Sequence, residues 1–356
     1  MSRFLNNRYQ RLEAYTPGEQ PQDMVYTKLN TNESPYPAAP QVVASINKED
    51  IENLRLYSDP ECKPLIKKIA EVYHVLPENV FVSNGSDDIL NFSFMAFSGQ
   101  PGKAAFPDIT YGFYQVFADL YGIDAVKIPL EDDFSINHKR YCDLDCMIVL
   151  ANPNAQVGRA LTLGQLEEVI ASNPDHVVLI DEAYVDFGAE SCVPLVKKYP
   201  NLLVVQTFSK SRSMAGARLG FAIGSKELIE DLNKIKYSTN PYNINRLTMA
   251  AGVAALDAQE YYDSNSQKIM EARDYTTSAL KGLGFSVIPS QANFVFAAHG
   301  KMDGERIYQE LKKRGILIRH FSSPRISNYN RITIGTMDQM KLLVKTIKCV
   351  LEENIQ

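Results

Sequence analysis

The 356-residue sequence has no tryptophan and few cysteines or histidines, and these shortages exclude several classes of protein. The cysteines are odd in number and form no C-x-x-C pair, so we expect reduced, mostly buried thiols rather than a disulfide framework. They are Cys62, Cys142, Cys146, Cys192 and Cys349. The histidines, at positions 74, 138, 176, 299 and 320, form no cluster with ligand spacing. The sequence therefore predicts no metal site.

Strong charge and long apolar runs are also missing. A net charge of −5 lacks the basic excess of a general nucleic-acid-binding protein, so we expect no nucleic-acid partner. No run of eighteen apolar residues occurs, and residues 1–7 lack the apolar core of a signal peptide. We therefore expect a cytoplasmic protein with no membrane partner. The common nucleotide-binding motifs, G-x-G-x-x-G after a strand and G-x-x-x-x-G-K-[ST], are absent as well.

What is present indicates a globular α/β protein, with 45% hydrophobic and 22% charged residues. Short apolar runs at 146–150, 177–180, 202–205 and 219–223 are interspersed with helical patterns, which predicts a mostly parallel sheet sandwiched by helices. The proline-rich residues 1–45 predict an extended arm without helix or sheet. We expect a large domain over 46–260. A smaller α+β domain is expected over 261–356, completed by the arm.

Residues 207–218, with the sequence Thr-Phe-Ser-Lys-Ser-Arg-Ser-Met-Ala-Gly-Ala-Arg, place one lysine among small and hydroxylated residues. An amine is nucleophilic only when neutral, which a neighbouring cation such as Arg212 or Arg218 favours. Thr207, Ser209 and Arg218 are suited to hold a phosphate through two hydroxyls and a guanidinium. Taken alone, the stretch is equally compatible with a solvated surface loop around Lys210.

A second stretch changes this balance. Asp181 and Tyr184 follow the apolar run 177–180, at the end of a predicted strand where open α/β sheets bind ligands. A carboxylate and a lysine at the ends of successive strands suit pyridoxal 5'-phosphate, because the acid keeps the pyridine nitrogen protonated and the amine carries the aldehyde. Asp-x-x-Tyr, then Ser-Lys, then arginine eight residues after Lys210 resembles the fold-type-I pyridoxal-phosphate-dependent aminotransferases, and within them the histidinol-phosphate branch.

The resemblance implies roles for further cofactor-binding residues. Ser86 and Asp87 begin a predicted helix whose free N–H groups favour an anion, here the cofactor phosphate. We expect the side chains of Asp87 and Asp88 to point away from that phosphate. Tyr111 is expected to lie flat against the cofactor ring, and Tyr57 to reach the cofactor phosphate of the partner in a homodimer.

Residues 151–159 depart from the family pattern. Most relatives have Asn-Pro-Thr-Gly at the end of this segment, and the asparagine donates to the phenolic oxygen of the cofactor. Here Ala155, Gln156 and Val157 occupy the first three of those positions, and alanine donates nothing. Asn154 is the nearest replacement, so we expect its amide to face the ring.

The resemblance also implies a substrate site. Tyr15 and Asn32 lie in arm segments that reach over the substrate pocket in the branch, and Tyr242 lies in its Pro-Tyr-Asn segment. Arg331 is expected to bind the substrate α-carboxylate bidentately, which suits a planar guanidinium. Arg319 is expected to bind the anion at the far end of the substrate, either a phosphate ester or a side-chain carboxylate.

The mechanism implied by the resemblance is a ping-pong transamination with Lys210, Asp181 and Tyr184 as catalytic residues. Lys210 holds the cofactor as an aldimine, L-histidinol phosphate donates the amino group, and 2-oxoglutarate accepts it. A threonine-phosphate decarboxylase and an aromatic-amino-acid aminotransferase share the scaffold and stay open as alternatives. So does a catalytically silent cofactor-binding regulator, although such regulators usually add a DNA-binding domain that this length leaves no room for.

Overall fold

The computed structural model describes residues 3–10 and 12–354, and its strands form three sheets. In this part of the chain the strands are β1 (Thr27–Lys28), β2 (Val80–Ser83), β3 (Lys103–Pro107), β4 (Asp124–Ile128), β5 (Met147–Ala151), β6 (Val178–Asp181), β7 (Leu202–Thr207), β8 (Gly220–Gly224), β9 (Phe285–Ile288), β10 (Phe294–His299), β11 (Ile316–Leu317), β12 (Arg319–His320) and β13 (Asn330–Thr333).

The α-helices of the same residues lie on the sheet faces and around the smaller sheets. They are α1 (Pro40–Ser45), α2 (Lys48–Glu52), α3 (Lys63–Tyr73), α4 (Gly85–Phe97), α5 (Phe113–Tyr121), α6 (Leu163–Ser172), α7 (Lys226–Thr239), α8 (Arg246–Asp257), α9 (Gln259–Gly282), α10 (Gly304–Lys313) and α11 (Met337–Asn354).

The largest sheet has seven strands in the order β2-β8-β7-β6-β5-β3-β4. Strand β8 runs in the direction opposite to that of the other six strands. Successive side chains of a strand point to opposite faces, so each central strand supplies two cores. Leu179 and Val205 belong to one core, whereas Ile180 and Val204 belong to the other. A sheet buried on both faces by helices confirms the predicted α/β class.

The smaller part of the molecule is built on an antiparallel sheet, in the order β12-β13-β10-β9, with α9, α10 and α11 packed nearby. The arm joins this part, because β1 pairs in parallel with β11 and places Thr27 opposite Ile316. The predicted combination of a large α/β body with a smaller α+β part that includes the arm is therefore confirmed. The boundaries at 45 and 260 stay predictions.

The expectation that residues 1–45 contain no helix or sheet is wrong at two places. Besides β1, the arm contains helix α1, which begins at Pro40. Proline is tolerated in the first helical turn because the N–H that it lacks has no partner within the helix there. Val42 is buried on this helix, which packs against α8 of the large body.

Among residues 3–10 and 12–354 no helix is both long and apolar enough to cross a membrane. Nor does this part of the chain bring three histidine, cysteine, aspartate or glutamate side chains together as candidate metal ligands.

Candidate active site

The site lies at one edge of the seven-stranded sheet. The carboxyl ends of β5, β6 and β7 meet there, and the antiparallel β8 begins at the same edge, so segments distant in sequence converge. A cavity of about 120 Å³ opens at this edge. Nine of the predicted site residues line it: Ser86, Asp87, Tyr111, Asp181, Tyr184, Thr207, Ser209, Lys210 and Arg218.

One end of this cavity is rich in hydrogen-bond donors. The Thr207 hydroxyl lies 3.0 Å from the Ser209 hydroxyl, and Nη1 of Arg218 lies 3.5 Å from the latter. Helix α4 begins alongside with Gly85, and its first turn leaves backbone N–H groups unpaired. Gly220 allows this close approach, because a Cβ there would collide with the backbone of Gly85 and Ser86. The result is a compact cradle for an anion.

Asp87 does not point away from the cavity, so that expectation is wrong. Its carboxylate accepts hydrogen bonds of 2.8 Å from both the Tyr111 hydroxyl and Nη2 of Arg218. Arg218, whose backbone φ is positive, forms an ion pair with this carboxylate. Asp88 does point away, and its carboxylate accepts hydrogen bonds from Ser83 and Asn243 instead.

Asp181 ends β6 at the floor of the cavity and is almost fully buried. Burial raises the pKa of its carboxyl group to about 6, because the charged form is poorly solvated. Two donors oppose this shift: the Tyr114 hydroxyl at 2.8 Å and the Ala183 backbone N–H at 3.2 Å. A buried carboxylate with its own donors is suited to face a cationic ring nitrogen.

Lys210 projects between the cavity walls. Its Nζ lies 3.2 Å from the backbone oxygen of Thr31 and 5.6 Å from the centre of the Tyr184 ring. The other predicted cation, Arg212, does not line the cavity. Its buried guanidinium lies over the ring of Phe208 and donates to the hydroxyl of Tyr73. Arg218, which does line the cavity, is therefore the arginine of this segment that shares it with Lys210.

The expectation for Asn154 is wrong. Its amide nitrogen donates to the backbone oxygen of Ile109 at 2.9 Å, and its amide oxygen accepts from the N–H groups of Gln156 and Val157. Asn154 is fully buried and is not among the residues that line the cavity. The asparagine thus folds the loop that follows β5, while Ala155 forms the cavity wall.

A second cavity, of about 380 Å³, adjoins the first. The two cavities share Tyr111, Ala155, Tyr184 and Lys210 in their walls. The larger one is also lined by the predicted substrate residues Tyr15, Asn32, Arg319 and Arg331. Lys210 therefore lies at the junction of the smaller cavity, which has the anion-binding donors, and the larger cavity, which has the cations Arg319 and Arg331.

The two arginines are held differently. The guanidinium of Arg331 lies 5.3 Å from the centre of the Phe294 ring and 5.6 Å from that of Phe321, and it donates to the backbone oxygen of Ala155 at 2.8 Å. Burial lowers the pKa of this guanidinium, and its Nε has no hydrogen-bond partner among the described residues. Arg319 donates to the backbone oxygens of residues 16 and 17, so it also fastens the arm above the cavity.

Tyr15 belongs to the same arm segment. Its ring stacks on Phe113 with 4.2 Å between centroids and meets Tyr111 edge-on at 6.1 Å. Tyr111 itself lines both cavities, so the aromatic group extends from the arm to the wall of the smaller cavity. Burial raises the pKa values of the Tyr15 and Tyr111 hydroxyls, which keeps both neutral.

Tyr57 and Tyr242 lie outside both cavities. Their rings stack with 4.4 Å between centroids on the protein surface, where Tyr57 is 79% and Tyr242 is 44% exposed. Within a single chain neither residue reaches the site. The expectation that Tyr57 reaches a partner's cofactor requires a second subunit and stays a prediction, whereas the structure does not bring Tyr242, which was expected to bind substrate, to either cavity.

Sequence reasoning missed several residues of the site. Tyr114 gave no signal, because an aromatic residue inside an apolar helix is typical of a core position and Asp181 lies 67 residues away. Gln156 lines the larger cavity and accepts from Nη1 of Arg331 at 3.3 Å. Its place within the altered segment 155–157 was the available signal. Phe321, which packs on both Arg319 and Arg331, has no distinguishing motif.

Comparison with known proteins agrees with this geometry. The family model for aminotransferase class I and II matches residues 25–347. The chain belongs to this family, so the resemblance inferred from the motifs is confirmed, and it is an aminotransferase.

Individual relatives show which kinds of aminotransferase this chain is similar to. A histidinol-phosphate aminotransferase from Brachyspira hyodysenteriae is 50% identical over 353 residues, covering 99% of this chain and 100% of the relative. A solved histidinol-phosphate aminotransferase from Sinorhizobium meliloti, in complex with pyridoxal-5'-phosphate, has a TM-score of 0.82 at 23% identity over 92% of each chain. The L-threonine-O-3-phosphate decarboxylase of Porphyromonas gingivalis shares the fold too, with a TM-score of 0.80 at 23% identity over 92% of this chain and all of that one.

Proposed function

We propose that this chain transfers the amino group of L-histidinol phosphate to 2-oxoglutarate, with pyridoxal 5'-phosphate as cofactor, in histidine biosynthesis. The observation that carries the proposal is the meeting of two cavities at Lys210. One cavity has the anion donors and buried carboxylate that a phosphorylated pyridine requires. The other has two arginines for the anionic groups of the substrates.

The residues of the smaller cavity fit the cofactor. Thr207, Ser209, Arg218 and the N-terminal turn of α4 supply donors for its phosphate, and the close approach allowed by Gly220 leaves room for it. Asp181, at the end of β6, offers a buried carboxylate for the ring nitrogen. A group of hydrogen-bond donors and a buried carboxylate in one cavity suit the phosphate and the ring nitrogen of pyridoxal phosphate.

Pyridoxal phosphate, when bound, supplies an aldehyde for amine exchange and a ring that takes up electrons from the substrate carbon. The chain supplies proton transfer and orientation. Lys210 lines both cavities, so it would carry the aldehyde of the cofactor and, as a free amine, would move a proton at the substrate Cα. The carboxylate of Asp181 would keep the ring nitrogen protonated, and the Tyr184 hydroxyl would donate to the ring oxygen.

The larger cavity accounts for the substrates. Arg331 and Arg319 are two cations on its walls, and 2-oxoglutarate carries two carboxylates, whereas L-histidinol phosphate carries a phosphate ester. One pair of arginines thus serves both half-reactions of a ping-pong cycle. Tyr15, whose ring stacks on Phe113, adds an aromatic surface to the wall of this cavity.

We further propose a homodimer. Large apolar side chains are exposed around Tyr57, among them Ile51, Leu54 and Leu56, and such a group on a protein surface marks an interface. A two-fold dimer presents the same surface from both subunits. Tyr57 then reaches the cofactor phosphate of the partner subunit. A cytoplasmic location likewise stays a prediction.

Steady-state kinetics test the proposed function. With L-histidinol phosphate varied at several fixed concentrations of 2-oxoglutarate, we expect parallel double-reciprocal lines and formation of glutamate. O-phospho-L-threonine and L-phenylalanine serve as comparison donors. Carbon dioxide release from phosphothreonine would replace the proposal by the decarboxylase, and equal kcat/KM for phenylalanine would replace it by an aromatic aminotransferase.

A further inference from the structure

Asn32 occupies an unusual place between the arm and the site. It is 1% exposed and adopts a positive φ of 56°, a left-handed conformation that asparagine tolerates better than most residues. Its backbone oxygen accepts from the side-chain amide of Asn293 at 3.0 Å. The main chain of this residue is therefore held in place next to the site.

The hydrogen bonds around Asn32 determine which way its amide faces. Its backbone N–H donates to the Thr333 hydroxyl oxygen at 3.0 Å, and the same hydroxyl lies 2.9 Å from Oδ1 of Asn32. The Thr333 hydroxyl accepts from that N–H and donates its one proton to Oδ1. The amide nitrogen then faces the Tyr184 hydroxyl oxygen, at 3.0 Å.

We infer that Asn32 is a positioning residue that fixes the Tyr184 hydroxyl as a donor into the cavity. Because Asn32 donates to the phenol oxygen, the phenol proton has to point elsewhere. No acceptor among residues 3–10 and 12–354 takes that proton. The open direction is the wall that Tyr184 shares with Lys210.

This role matters because Ala155, on the same wall, has no side-chain donor. The inference rests on the proposed function, in which Tyr184 donates to the ring oxygen of the cofactor. A donor there stabilises negative charge on that oxygen and lowers the pKa of the Lys210-linked cofactor. Other titratable groups also lie near Tyr184, and their charges influence the pKa of the cofactor. They are Tyr15, Asp87, Tyr111, Asp181, Lys210 and Arg331.

The test is a pH titration of the visible absorbance of the cofactor-loaded protein, without substrate. Asn32→Asp keeps the shape of the side chain but accepts the Tyr184 proton and turns it away from the cavity. We expect the titration midpoint to rise by about one pH unit, as for Tyr184→Phe, since both changes remove one charge-assisted hydrogen bond. Asn32→Gly is the matched control, because it keeps the left-handed backbone and leaves the phenol free to donate. Its midpoint is expected to move by less than half as much.

A new charge at position 32 also raises the midpoint directly, and a double variant separates the two effects. If Asn32 acts through the Tyr184 proton, Asn32→Asp shifts the midpoint less in the Tyr184→Phe background than in the wild type, because only the direct effect of the charge remains there. The same shift in both backgrounds, or equal shifts for Asn32→Gly and Asn32→Asp, overturns the inference.

Thr333→Val is a second test that does not depend on the folding of the aspartate variant. It frees the Asn32 amide to rotate, so we expect a smaller rise of the midpoint that vanishes in the Tyr184→Phe background. A rise that persists in that background contradicts the inference. No substrate is used in these titrations, so their failure is distinguishable from failure of the proposed function, which appears as the lack of turnover in the wild-type protein.

Discussion

The hydroxyl of Tyr114 donates a 2.8 Å hydrogen bond to Oδ2 of Asp181, below the floor of the smaller cavity. Both side chains are buried, and burial raises the pKa of Asp181 to about 6. The tyrosine opposes that shift, since a donor favours the ionised carboxylate. The electrostatics of the site therefore depend on a residue that touches neither cavity.

Tyr114→Phe is expected to raise the pKa of Asp181 further and to weaken cofactor binding. A hydrogen bond to a charged group contributes roughly 1.5–3 kcal/mol, which corresponds to about 10- to 100-fold in the dissociation constant. The loss should be larger at pH 6 than at pH 8, because at low pH the variant carboxyl group is protonated. Titration of the cofactor-free protein with pyridoxal phosphate at pH 6 and at pH 8 measures the dissociation constants of wild type and variant. Tyr121→Phe, which removes a hydroxyl bonded to Asn91, is the control. Equal affinity of wild type and variant at pH 6 would contradict this account.

Glu182 is expected to make stability depend on pH. Its buried carboxyl group accepts from Gln206 and Ser191, and burial raises its pKa from 4.5 to about 7. The folded state therefore binds more protons than the unfolded state between these values, so stability falls as pH rises through that window. The free energy of unfolding is expected to fall by up to about 3 kcal/mol across this window.

Thermal unfolding of the cofactor-free protein at pH 5 and pH 8 measures this effect. Glu182→Gln should lower the midpoint less at pH 8 than at pH 5, or raise it there. Glu230→Gln, at an exposed position on α7, should leave the pH dependence unchanged. The same pH dependence in Glu182→Gln and wild type would show that this carboxyl group does not titrate in that range.

Leu54→Glu is expected to dissociate the proposed homodimer. Leu54 is 53% exposed in the single chain, so the substitution costs little in folding and acts mainly at the interface. Sedimentation velocity should shift from dimer to monomer, and cofactor affinity should fall because Tyr57 of the partner subunit is lost. Leu342→Glu, at a position on α11 that is 47% exposed, is the matched control and should remain dimeric. A monomeric wild type would remove the basis of this prediction.

Arg331→Lys is expected to lower kcat/KM for 2-oxoglutarate by roughly 100-fold, because an ammonium group lacks the planar fork that binds a carboxylate and stacks between rings. The wild-type guanidinium lies over the rings of Phe294 and Phe321. Arg325→Lys, whose guanidinium pairs with Asp108 outside both cavities, should change kcat/KM by less than threefold. Equal values for both variants would show that Arg331 does not bind the substrate.

Much of the fold was predictable, because local patterns decide it. The apolar runs at 146–150, 177–180, 202–205 and 219–223 are buried central strands, with bounds that differ from the prediction by at most two residues. The convergence of Asp181 and Lys210 also followed from the rule that parallel strands end at one edge. The helix that begins at Pro40 was not predicted, because proline interrupts a helix in its interior but is tolerated in its first turn.

The side-chain directions were less predictable. Asn154 and Asp87 were each assigned a direction from the nearest motif, but the backbone of the 155–157 loop and the cation Arg218 determined where they point. Such partners are brought together by tertiary packing, over 131 residues for Asp87 and Arg218. Asn32 shows the same limit, since its contacts with Tyr184 and Thr333 span 152 and 301 residues.

The central claim is that Lys210 and its two cavities transfer an amino group from L-histidinol phosphate. The direct measurement is the visible spectrum of the cofactor-loaded protein after mixing with this compound, without 2-oxoglutarate. The account predicts loss of the aldehyde-form band and appearance of the amine form, restored by 2-oxoglutarate and absent in Lys210→Ala. An unchanged spectrum with L-histidinol phosphate, or full conversion in Lys210→Ala, would contradict it.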